Sequence, residues 1–64
     1  MSNLYTITYP ERRAVTAETL ILWASDAVAN RDTDIEASAG ELLNDMPLVI
    51  RILHDSGYAT VARR

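Results

Sequence analysis

Residues 46–62 read Met-Pro-Leu-Val-Ile-Arg-Ile-Leu-His-Asp-Ser-Gly-Tyr-Ala-Thr-Val-Ala, and the fold turns on them. Asp45, just before, is a good N-cap, and Pro47 suits the first turn of a helix, where a missing N–H costs nothing. A helix is therefore expected from Met46 to about Asp55. Met46, Leu48, Val49, Ile50, Ile52 and Leu53 cover more than half its circumference, leaving only Pro47, Arg51, His54 and Asp55 to face away. A helix this apolar is normally a central core element. Gly57 supplies a left-handed stop. Tyr58–Ala62 (YATVA) then reads as a strand, and Arg63 and Arg64 follow it.

Immediately upstream, Ser38-Ala39-Gly40-Glu41 is a capping box placed before Leu42 and Leu43. It predicts a short helix over about Ala39–Asp45, either separate from the apolar helix or joined to it and kinked at Pro47. Asn30–Ala37 (NRDTDIEA) is a polar connection carrying Asp32, Asp34 and Glu36. Before that, Thr16 can cap a helix from Ala17 to about Asn30, with Glu18 in the first turn, where its charge suits the helix dipole. Ala17, Leu20, Ile21, Ala24, Ala27 and Val28 share one arc of that helix. Trp23 falls at the margin of the arc. Leu22 falls opposite it, among Glu18, Ser25, Asp26 and Ala29, and is either a single exposed leucine or a partner contact.

At the front of the chain, Leu4–Tyr9 (LYTITY) alternates at period two and ends at Pro10, which signals a strand. Tyr5, Ile7 and Tyr9 form the face expected to be buried. Pro10–Val15 (PERRAV) reads as a connecting loop. The expected fold is α+β: a single compact domain over 1–64 in β-α-α-α-β order, with a two-stranded sheet packed on a helical layer. Two strands need that cover to be stable, and their edges stay open to a second copy or a partner.

Composition narrows the job. Sixty-four residues allow one domain, and 48% hydrophobic with 23% charged residues is ordinary globular usage. No cysteine is present, which removes disulfides, thiolate metal sites and cysteine nucleophiles. The apolar runs are too short to span a bilayer, and no basic segment leads into one at the N-terminus, so a cytoplasmic, non-membrane protein is expected. Every basic residue is arginine, and lysine, phenylalanine and glutamine are absent. Lysine and phenylalanine have AT-rich codons, so their absence fits a GC-rich bacterial or phage genome. So small a core must be well packed, or a second copy must add surface, giving a monomer or a homodimer.

No constellation for catalysis stands out. His54 is the only histidine, and neighbours Asp55 and Ser56 point in other directions along a helix, so the three do not make a triad. His54 fits the C-terminal end of a helix, where a cation is favoured. Asp32, Asp34 and Glu36 resemble part of a calcium loop but lack its turn glycine and its bidentate glutamate. Asp34, Glu36 and Glu41 are the residues a magnesium ion would use. With two glycines there is no phosphate-cradling loop, and neither an enzyme nor a cofactor is expected.

The charge distribution points to binding instead. Asp26, Asp32, Asp34, Glu36, Glu41 and Asp45 stand with one base, Arg31, giving residues 26–45 a charge of −5, while the rest of the chain sums to +2. The arginines could pair internally with the acids, or the acids could form a solvated face. Left unpaired, they would steer onto a basic surface and occupy a nucleic-acid groove by mimicry. Leu22 and Trp23 would add apolar anchoring to the same partner.

Two resemblances bear on function. Glu41-Leu42-Leu43, the turn with Pro47, the following helix, Gly57-Tyr58 and the closing strand resemble, over residues 36–64, the tail of a winged helix-turn-helix. That implies a DNA-binding transcriptional regulator. However, the would-be reading helix presents LVIRIL with Arg51 as its only base, and the net charge of −3 repels phosphate. In size, acidity and lack of catalytic groups the chain resembles small phage-encoded anti-CRISPR proteins, a group without a shared motif, so no residue role carries over. That resemblance implies a non-catalytic inhibitor covering a basic, nucleic-acid-handling surface of a larger complex such as a CRISPR effector, with no direct nucleic-acid contact.

Overall fold

A computed structural model describes residues 4–62. The chain runs β1 (Leu4–Tyr9), β2 (Arg13–Thr16), α1 (Ala17–Ala29), α2 (Ala39–Asn44), α3 (Met46–Ser56) and β3 (Thr60–Val61). The class is α+β, and the expected β-α-α-α-β order is present with one strand added. The sheet has three antiparallel strands in the order β2-β1-β3, not two. The added strand comes from the segment read as a loop. Only 10–12 turn, and Arg13–Thr16 pair back on β1 with Leu4 opposite Thr16 and Ile7 opposite Arg13. Pro10 hid this hairpin, because alternation stops there and three polar residues follow it.

β1 is the central strand, with Ile7 opposite Arg13 on one side and Val61 on the other. The closing strand is shorter than YATVA implied, being regular only at Thr60–Val61, with an irregular register between Ile7 and Tyr9. Strand alternation sends Ile7, Val15 and Val61 to the helical side, where all three are buried. Leu4, Thr6, Thr8 and Ala14 on the opposite face are exposed. Tyr5 is half-buried, but Tyr9, beyond the register irregularity that follows Ile7, is 55% exposed. The expected burial of that face therefore holds at Ile7, in part at Tyr5, and fails at Tyr9.

The helices cap as the sequence says. Thr16 Oγ1 accepts from the Thr19 N–H, Ser38 and Glu41 complete both bonds of the capping box, and Asp45 Oδ1 accepts from the Leu48 N–H. α2 and α3 are separate helices, broken at Asp45 (φ −138°, ψ 81°) rather than kinked at Pro47. Two helices end alike. Gly57 donates to the His54 carbonyl and Tyr58 to that of Leu53; Arg31 donates to Val28 and Asp32 to Ala27. Both are Schellman endings with a left-handed residue, Gly57 at φ 78° and Arg31 at φ 58°.

Beneath the sheet one core gathers Leu20, Ala24 and Ala27 of α1, Leu42 of α2, and Val49, Ile52 and Leu53 of α3. α3 is the core helix its composition implied, with Pro47, Arg51, His54 and Asp55 exposed and Met46, Leu48 and Ile50 half-buried. No helix among the described residues is long and apolar enough to cross a membrane.

Candidate acidic interface

Every acid of the 26–45 segment is exposed. They do not, however, do the same work. Glu41 is spent on the capping box and Asp45 on capping α3. Asp32 accepts the phenolic proton donor of Tyr58, 26 residues away. Next to it, Thr33 Oγ1 donates to Asp55 Oδ2 at 2.6 Å and accepts from the Ile35 N–H at 3.2 Å. Asp26, Asp34 and Glu36 make no side-chain hydrogen bond or ion pair among the described residues.

Two acids, Asp32 and Asp26, act on the Tyr58 hydroxyl. The Tyr58 pKa is raised above the ordinary phenol value, first because its proton bonds Asp32, and further by the negative charges of Asp32 and Asp26, while Asn30 opposes them. Asp26 of α1 and Asp32 of the connection therefore act on one atom. Asp55 is tied separately, to Thr33 beside Asp32, and sequence reading missed it. Neither Tyr58 nor Asp55 carries a local signal for this role, since both contacts span more than twenty residues.

Among the described residues, no arginine pairs with these acids. The only ion pair among the described residues is Arg13–Glu11, at 3.8 Å between two exposed side chains in the β1–β2 turn region. Such a pair contributes little stability. Arg13 also lies 5.6 Å over the Trp23 ring, a cation–π contact between β2 and α1. Trp23 is half-buried, as its marginal place on the helical arc implied, and Leu22 is 62% exposed. Leu43 is equally open at 67%, and the sequence placed it only at the start of a short helix after the capping box.

Asp34, Glu36 and Glu41 are not drawn together. No group of three potential ligands forms a metal site among the described residues. His54 is exposed in the last turn of α3 and makes no side-chain hydrogen bond among those residues. It lines an open groove of about 860 Å³ with Pro47, Leu48, Ile50, Arg51 and Val61, along the outward stripe of α3. One residue separates α2 from α3, where a helix-turn-helix uses three or four. What the arrangement offers chemically is fixed negative charge beside scattered exposed leucines. No family model, no curated protein and no solved structure matches this chain.

Proposed function

We propose that this protein is a small, non-catalytic acidic inhibitor, comparable in kind to anti-CRISPR proteins, that covers a basic nucleic-acid-handling surface of a larger cytoplasmic complex. One observation carries the reading. The acids of residues 26–45 are exposed and lack arginine partners among the described residues, and the segment bearing Asp32, Asp34 and Glu36 is tied to α3 and Tyr58. Charge on an ordered segment attracts cations without first losing conformational entropy, which favours both encounter and affinity. Asp26, Asp34 and Glu36 make the primary electrostatic contact, with Asp32, Glu41 and Asp45 adding to the field while holding the fold. Leu22 and Trp23 provide the apolar part of the contact.

The test uses purified CRISPR effector complexes challenged with target DNA in the presence of the protein. DNA binding should fall, and the inhibition should weaken as salt rises from about 0.05 M to 0.5 M, because screening shortens the reach of exposed charge. Asp34→Lys with Glu36→Lys should raise the inhibitory concentration at least tenfold and leave the melting curve unchanged. Inhibition absent from every effector defeats the reading. If the double reversal inhibits like the parent while Leu22→Asp does not, the contact is the α1 face rather than the acids.

A further inference from the structure

Between the end of α1 and the Ser38 cap, residues 31–37 form neither helix nor strand. Ile35 and Ala37 lie half-buried against the core, while Asp32, Asp34 and Glu36 point outward. Among the described residues, the side-chain bonds from this segment to the rest of the fold are two, at adjacent residues: Tyr58 to Asp32 and Thr33 to Asp55. Both are hydroxyl-to-carboxylate bonds at the surface, where water competes for donor and acceptor alike. The segment leaves α1 through Arg31, which holds a left-handed conformation that side chains rarely adopt.

We propose that residues 31–37 are a strap, hinged at Arg31 and latched by Tyr58 and Asp55, that opens as a unit while the core stays folded. Regions with few buried apolar contacts and solvent-exposed bonds open locally at less cost than global unfolding. Closed, the strap holds Asp32, Asp34 and Glu36 in one arrangement; open, it must be reordered before those acids can dock together, and binding weakens by that ordering cost. The latch thus regulates the acidic surface. This rests on the proposed function for its purpose, but its test involves no partner, so the two fail separately.

The decisive variant is Tyr58→Phe with Asp55→Ala, which cuts both latches from outside and leaves every strap residue unchanged. Removing Asp55 frees the Thr33 hydroxyl, whose bond to the Ile35 N–H opens with the strap, so the Ile35 amide is the reporter. Amide hydrogen exchange followed by NMR should accelerate at least tenfold at Ile35. The amides of Ala24 and Ile52, in the core helices, should stay within about twofold of the parent. Unchanged exchange at Ile35 overturns the latch and assigns the strap's order to Ile35 packing alone. Acceleration of all amides together, or failure of the variant to fold, overturns the strap as a local unit.

Discussion

Replacing Ile52 with alanine tests the architecture most directly. The side chain is completely buried in the core, on α3. The change removes three carbons, at about 0.8 kcal/mol each in transfer free energy. A cavity that fails to collapse adds roughly 24 cal/mol for each Å³ left empty, up to about 2 kcal/mol for three carbons. The expected loss is therefore about 2.5–4.5 kcal/mol. At roughly 0.05–0.15 kcal/mol per residue, a chain of this length has about 3–10 kcal/mol in total. A parent near 10 kcal/mol would lose roughly a quarter to a half of its stability, and a weakly stable parent would be unfolded. In a domain this small, 1 kcal/mol moves the melting temperature by about 8 °C, so a drop near 20 °C or more is expected. Circular-dichroism melts and urea titrations of the parent, Ile52→Ala and Leu22→Ala provide the comparison. Leu22→Ala, at an exposed position, should lie within about 0.5 kcal/mol of the parent. If Ile52→Ala melts within about 3 °C of the parent, α3 is not the core helix and the packing argument fails.

The remaining expectations concern particular residues. Tyr58 should ionise above the usual tyrosine value of about 10 in an absorbance titration, because ionisation breaks its bond to Asp32. A raised folded-state pKa means that this contribution to stability is present below the unfolded value and is lost as pH climbs through the raised one. Tyr58→Phe should abolish the late component; a titration unchanged by that substitution rejects the contact. Gly57→Ala meets no atom within 4 Å but must hold φ 78°, so it should cost about 1–2 kcal/mol in urea unfolding. Arg31→Gly relieves the same kind of strain at φ 58° and should be neutral or stabilising; a clear destabilisation would contradict the Schellman ending of α1. At physiological salt the isolated protein should show no duplex-DNA binding, since its net charge is −3 and α3 exposes one arginine. Micromolar binding that falls steeply with salt would favour the winged-helix reading.

Local chemistry determined much of this protein in advance. Thr16, the Ser38–Glu41 box, Asp45 and Gly57 mark helix ends because caps and left-handed stops depend on one side chain and its immediate backbone. The apolar surface of residues 46–53 placed α3 in the core because burying it is the dominant favourable term for so short a chain. The tertiary structure alone decided the rest. β2 exists because Arg13–Thr16 can pair with β1, a bond pattern that polar PERRAV does not announce. Tyr9 is exposed past an irregularity in the β1–β3 register, which alternation along one strand cannot foresee. The acidic segment was legible as charge, but its division of labour was not. Glu41 and Asp45 could be assigned as caps from spacing, whereas Asp32 and Thr33 found Tyr58 and Asp55 only when the end of α3 was folded back beside α1. Contacts across twenty residues or more follow from how helices pack, and no local pattern encodes them.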